Sequence, residues 1–113
     1  MSRLRCGDVN IAESVSIAKS FGERAIGLLN RKDMAEQEVL WILKCNSIHT
    51  FGMRFSLDCV FVDKNLQIVD ILRNVKPQRL TWPRFRASSV FEFKAGNSAV
   101  AKLKLGDQLH VGD

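Results

Sequence analysis

Residues 45–63 read CNSIHTFGMRFSLDCVFVD and gather the side chains that could do chemistry: two cysteines, a histidine, a methionine, an arginine and two aspartates beside an apolar run. A histidine oriented by a carboxylate is the ordinary apparatus of proton transfer near neutral pH, which makes His49 a candidate general base and Asp58 its orienter. Cys45 is a candidate nucleophile, on condition that its thiolate is exposed and its pKa depressed. Cys45 and His49 at C-x-x-x-H spacing, with Cys59 later, are also soft donors of the kind zinc takes. A fourth ligand would have to come from His110, and Cys59 sits in an apolar run where a free cysteine behaves as a small hydrophobe. Plainer readings compete with each of these. His49 can pack beside Trp41 or Phe51, and Asp58 can stabilise a turn or pair with Arg54. Spacing alone does not bring His49 to Asp58, so the residues lean away from an enzyme, and neither a metal site nor a cofactor is expected.

A second feature follows downstream. Between Asp70 and Glu92 there is no acid, and Arg73, Lys76, Arg79, Arg84 and Arg86 are interleaved with Trp82 and Phe85. In composition this resembles a groove for single-stranded nucleic acid, where cations follow phosphates and aromatic rings stack on bases. If all five cations neutralised phosphates of a duplex, log affinity would fall with log salt at a slope of about −4 to −5. The plainer reading is a solvated loop whose Trp82 and Phe85 fix it to the core. No recognised nucleic-acid module accompanies the window, so nucleic acid is an alternative partner and not the favoured one.

The elements that position these residues can be read from periodicity. Ser20-Phe21-Gly22-Glu23 fits a capping box, and Phe21, Ala25, Leu28 and Leu29 recur at helical spacing up to Asn30, so a short helix is expected there. Arg24 near its start is placed to pair with Glu92 or Asp107. Val15 and Ile17 alternate with small polar residues, and residues 39–43, VLWIL, form a continuous apolar run suited to a strand buried on both faces. Residues 57–62 and 66–72 flank Asp63-Lys64-Asn65, a turn sequence, and predict a β-hairpin. Pro77 and Pro83 make residues 75–87 a long loop. Residues 88–94 alternate so as to bury Phe91 and Phe93 on one face of a strand; a second short helix capped by Asn97 or Ser98 runs to about Gly106, and a last strand covers residues 108–111. The expectation is an α+β fold: one compact domain over residues 1–113, mostly antiparallel sheet, with two short helices.

The chain has 113 residues, 46% of them hydrophobic and 26% charged, which is ordinary globular usage. Seventeen basic against twelve acidic residues give a net charge of +5 and a pI near 9.5. No apolar run approaches the roughly 18 residues of a membrane helix, the first residues lack a secretory core, and three cysteines without a CxxC pair suit reduced thiols. A cytoplasmic, soluble protein without a membrane partner is expected.

Four ordered landmarks resemble a known group. Arg24 to Arg31 reads RAIGLLNR, residues 48–63 carry S-L-D-C-V-F-V-D at their end, residues 91–96 read FEFKAG, and Gly106-Asp107 comes late. They are similar to the R-x-x-G-L-x-x-R, P-L-D-x-x-F-x-D, L-E-x-x-x-G and G-D landmarks of the domain-of-unknown-function 192 family, and cover about residues 14–111. The resemblance implies a compact α+β domain, its strands mostly antiparallel and curled toward a barrel, with no established activity, cofactor or substrate. His49 stands where an aromatic Trp is common in the family, and Ser56 replaces its usual Pro.

Three functions from different classes follow. The leading one is a non-enzymatic binding or accessory module that contacts a small ligand or a protein through His49, Met53, Arg54 and Asp58, with the 73–86 loop alongside. The second is a small hydrolase or transferase working through His49 and Asp58. The third is polyanion binding by Arg73, Lys76, Arg79, Arg84, Arg86 and Trp82.

Overall fold

A computed structural model describes residues 2–20, 22 and 31–112. Eight strands follow in order: β1 (Arg3–Cys6), β2 (Val9–Ala12), β3 (Ser14–Ala18), β4 (Glu38–Leu43), β5 (Leu57–Val62), β6 (Ile68–Val75), β7 (Ser89–Lys94) and β8 (Leu109–Gly112). They form a three-stranded sheet, β2-β1-β8, and a five-stranded sheet, β3-β4-β7-β5-β6. All pairings are antiparallel except β3 with β4, which is parallel.

This corrects the expected fold class. The described residues are 46% strand and 4% helical, in two sheets that do not close, so as far as they extend the fold is nearly all β and not an α+β domain or a barrel with two helices. The helix expected at residues 20–30 lies outside the described residues except for Ser20 and Gly22, as does Arg24. The second expected helix is a single 3-10 turn, Val100–Lys102. Asn97 lies ahead of it, its Oδ1 accepting the Ala99 and Val100 amides at 2.9 and 3.1 Å, while the residue at the N-cap is Ala99. Leu103 is already extended, and the Lys104 amide donates to Asp107 Oδ2 at 2.9 Å, so a side-chain-stabilised turn ending at Gly106 (φ +89°) takes the residues a helix would need.

The five-stranded sheet is buried on both faces, and strand alternation divides the core in two. Leu40 and Ile42 of β4, Leu57, Cys59 and Phe61 of β5 and Val90 of β7 point to one cluster; Val39, Val60, Val62, Phe91 and Phe93 point to the other. The second cluster is closed by the smaller sheet through Leu4, Ile11 and Leu109. The first is covered by Ile48 and Met53, which belong to the segment holding the candidate chemistry. Phe91 and Phe93 do share a face, but Val90 and Glu92 on the opposite face are just as buried, because β7 lies between β4 and β5. Trp41 stacks on Phe91 at 5.1 Å and donates its indole N–H to Ser89 Oγ at 2.9 Å. The β5–β6 hairpin is as expected, its turn held by Asp63 Oδ1, which accepts the amides of Asn65 at 2.8 Å and Gln67 at 3.0 Å. Strand β6 runs on to Val75, so Arg73 sits on a strand and the basic window begins before the loop.

Candidate functional site

Two stretches without regular structure, residues 45–54 and 76–88, lie side by side and are tied backbone to backbone. Thr50 is the node. Its amide donates to the Arg79 carbonyl at 2.8 Å and its carbonyl accepts the Gln78 amide at 3.1 Å. Its hydroxyl donates to the Lys76 carbonyl at 2.7 Å and accepts the Arg79 amide at 2.9 Å. Thr81 repeats the device one step on: its amide donates to the Ile48 carbonyl and its Oγ1 accepts the Ile48 amide, both at 2.9 Å. The Arg84 amide reaches the Asn46 carbonyl at 2.9 Å, and the Cys45 amide reaches the Ser88 carbonyl at 3.1 Å. Thr50 and Thr81 are both buried, so these bonds form away from competing water. Neither threonine stands out in the sequence, because nothing in local periodicity marks a hydroxyl that bonds about thirty residues away.

His49 is half-buried at this seam. Its ring stacks on Phe51 at 5.0 Å and 21°, and its backbone bridges Leu80. It lines an open recess of about 280 Å³ together with Lys44, Cys45, Asn46, Ser47, Ile48 and Leu80. The Cys45 thiol is buried and donates to the Ser47 carbonyl at 2.9 Å. Met53 packs into the core below, while Arg54 is exposed.

Asp58 is elsewhere in chemical terms. At the start of β5 and only 2% exposed, it accepts the Asn74 amide on Oδ1 at 2.8 Å and the Gly96 and Asn97 amides on Oδ2 at 3.1 and 3.2 Å. It thereby ties β5 to a left-handed residue of β6 (Asn74, φ +55°) and to the turn after β7. Among the described residues none of its hydrogen bonds reaches His49. Cys59 is wholly buried in the core, and no group of three or more His, Cys, Asp or Glu among the described residues is placed to hold a metal ion.

The basic window is organised unevenly. Arg84 is committed: Nε donates to Asp70 Oδ2 at 2.8 Å, Nη1 bonds the Trp82 carbonyl, and the guanidinium lies 5.1 Å from the Phe61 ring centre. Arg73 donates to the Val100 carbonyl at 3.0 Å but stays exposed, as are Lys76, Arg79 and Arg86. Arg73, Lys76, Arg79, Trp82 and Arg84 line an open groove of about 470 Å³, and no carboxylate is among the described residues that line it. Trp82 and Phe85 do not hold the loop to the core. They are 85% and 90% exposed, with Leu80 at 71% and Phe51 at 47%.

Away from this face, Arg31 makes a two-pronged contact with Glu38 at 2.8 and 2.9 Å, which holds the Glu38 carboxyl below its usual range. Burial, and then the nearby Asp107 charge, push the Cys6 thiol up, which disfavours the thiolate.

The family model described as "Uncharacterized ACR", DUF192, matches residues 5–111. The chain belongs to this family. The DUF192 match begins before the landmarks read from sequence, taking in part of β1 and all of β2, whose four residues each are too few to show a period. A UPF0127 protein of Pyrococcus horikoshii is 35% identical over 98 residues, covering 84% of either chain, and one of Pyrococcus abyssi is 31% identical over 100 residues, covering 84% of this chain and 83% of its own. A crystal structure of a protein of unknown function from Novosphingobium aromaticivorans superimposes with a TM-score of 0.79 at 20% identity, over 96% of this chain and 82% of that one. That likeness establishes the fold. The DUF192 family is uncharacterised, and no helix among the described residues is long and apolar enough to cross a membrane.

Proposed function

We propose that this DUF192 protein is a non-enzymatic binding module whose recognition face is the paired stretch of residues 46–54 and 76–86. One observation carries the reading: large apolar side chains stand in solvent on backbone that is firmly held. Leu80, Trp82, Phe85 and Phe51 are exposed, yet Thr50 and Thr81 pin the chain beneath them with buried hydrogen bonds. Exposed rings on a fixed scaffold lose little freedom on contact, which is what binding surfaces favour. His49 and Arg54 contribute from the same stretch, the first through its ring on Phe51 and the second as an exposed cation. Met53 supports the stretch from the core side, and Asp58 fixes the neighbouring end of β5.

The test is amide chemical-shift mapping of the isotope-labelled protein against a single-stranded oligonucleotide, polyglutamate and anionic lipid vesicles. Shifts concentrated at residues 46–54 and 76–86 are expected for at least one ligand. Shifts confined to the β2-β1-β8 sheet, or none with any ligand, would refute the reading.

A further inference from the structure

The groove beside Trp82 has a chemistry that narrows the ligand. Its cations are Arg73, Lys76 and Arg79, with Arg86 just beyond Phe85, and all four are exposed. The two acids that bracket the window in sequence do not oppose them: Asp70 is paired with Arg84 at 2.8 Å, and Glu92 is wholly buried in β7. The positive field is therefore uncancelled from within the loop. Next to it, the Trp82 and Phe85 rings present their faces almost entirely to water.

An acidic peptide would satisfy the cations and leave the rings without a planar partner. A duplex would satisfy the cations while keeping its bases stacked on one another, out of reach of the rings. A single strand satisfies both, because its phosphates meet the groove and its unpaired bases offer a flat face to each ring. Resting on the recognition face proposed above, we infer that the ligand is a single-stranded nucleic acid, its backbone along Arg73, Lys76 and Arg79 and a base stacked on Trp82.

Arg84 is already neutralised by Asp70, so it releases no counterion on binding. The remaining three or four cations give a single-strand salt slope of about −2 to −3, shallower than the sequence window alone suggests. Affinity should then fall about 15- to 60-fold between roughly 50 and 200 mM salt.

The experiment is fluorescence anisotropy of labelled oligothymidylate and oligouridylate, each about twelve nucleotides long, titrated with the full chain at several salt concentrations. Single-strand binding with that slope is expected, and the tighter of the two oligomers identifies DNA or RNA as the source. Trp82→Ala should weaken binding about tenfold and Phe85→Ala by a smaller factor, with unchanged melting temperatures because both rings are exposed. Arg79→Ala should flatten the slope by about 0.7, and Arg5→Ala, on β1 of the other sheet, should leave it unchanged. The inference is overturned if neither oligomer binds at low salt, if a duplex binds as tightly as the single strand, or if Trp82→Ala has no effect. Polyglutamate shifting the loop amides while the oligonucleotides do not would overturn this inference and leave the proposed recognition face standing; oligonucleotide shifts confined to the other sheet would overturn both.

Discussion

Replacing Asp58 tests whether the carboxylate of the S-L-D landmark is structural. Its two oxygens receive three backbone N–H groups, from Asn74, Gly96 and Asn97, at 2.8 to 3.2 Å, in a site only 2% exposed. Asp58→Ala removes the acceptor and leaves those amides facing a void. A hydrogen bond to a charged group is worth about 1.5–3 kcal/mol, and a stranded buried donor costs about 1–3 kcal/mol. The three share one carboxylate and are not additive, and Gly96 is near enough to the surface for water to rescue part of its loss. The expected cost is about 3–5 kcal/mol, or roughly 10–20 °C in melting temperature for a domain of this size. Asp58→Asn keeps the shape and one good acceptor, but turns an amide N–H₂ toward the remaining donors, so it should recover about half of the loss. Urea titration followed by circular dichroism measures both variants, with hydrogen exchange at the Asn74, Gly96 and Asn97 amides as the local readout. A cost for Asp58→Ala below about 1 kcal/mol, or unchanged exchange at those amides, would refute the assignment.

Thr50→Val keeps the branched shape and removes the hydroxyl that joins Lys76 and Arg79, so a loss of about 1–3 kcal/mol is expected, with faster hydrogen exchange at Gln78 and Arg79. Adjacent residues should separate sharply: Met53→Ala, which opens the core, should cost about 2–4 kcal/mol in chemical denaturation, and Arg54→Ala, on an exposed residue, no more than about 0.5 kcal/mol. Glu38 is held below its ordinary value of 4.5, first by the Arg31 hydrogen bond, so its contribution is present above that value and disappears as pH falls through the lower, folded-state pKa. Both partners are about a third exposed, so Glu38→Gln should cost no more than about 1 kcal/mol at pH 7 and nothing at strongly acid pH, in melts compared across pH. Trp82→Phe should remove the red-shifted, iodide-quenchable part of the tryptophan emission and leave that of the half-buried Trp41, without changing the melting temperature.

Where an element's hydrophobic period was long enough to read, the strands fell where the sequence placed them. The runs at 14–18, 39–43 and 57–62 are β3, β4 and β5 within a residue, and β7 and β8 are close to their expected spans. β1 and β2 escaped notice because a four-residue strand such as Arg3–Cys6 shows at most two alternations, and its partner β8 comes from the far end of the chain. The helix expected after Asn97 failed for a local reason: Asn97 does bond the amides at its start, but Asp107 takes the Lys104 amide and the helix stops after three residues. At the site, residue types were legible and partners were not. Asp58 could be read as an orienter for His49 or as the support of a turn, and its partners, amides 16 to 39 residues away, have no mark in the sequence. Trp82 and Phe85 looked like fixtures of a loop because buried aromatics are the common case, whereas here threonine hydroxyls fix the loop and free the rings.

That division of labour has a consequence for how the face would respond to a ligand. Cys45, Ile48, Thr50 and Met53 point inward and close one side of the five-stranded sheet, while His49, Phe51 and Arg54 are set between and after them on the outer side. The same stretch, residues 45–54, therefore covers the core on one side and carries part of the proposed recognition face on the other. A ligand gripping the outer set restrains the inner set as well, so binding energy is transmitted to the fold without any rearrangement of the sheet. At a hundredfold excess over its dissociation constant, such a ligand would raise the unfolding free energy by about 2.7 kcal/mol. The coupling also runs inward: opening the core beneath the segment, as Met53→Ala does, loosens the backbone that presents Phe51 and the Thr50 links that order Lys76 and Arg79. Affinity should then fall in a variant whose altered side chain never meets the ligand, and the loss should shrink when the fold is restabilised at a distant position.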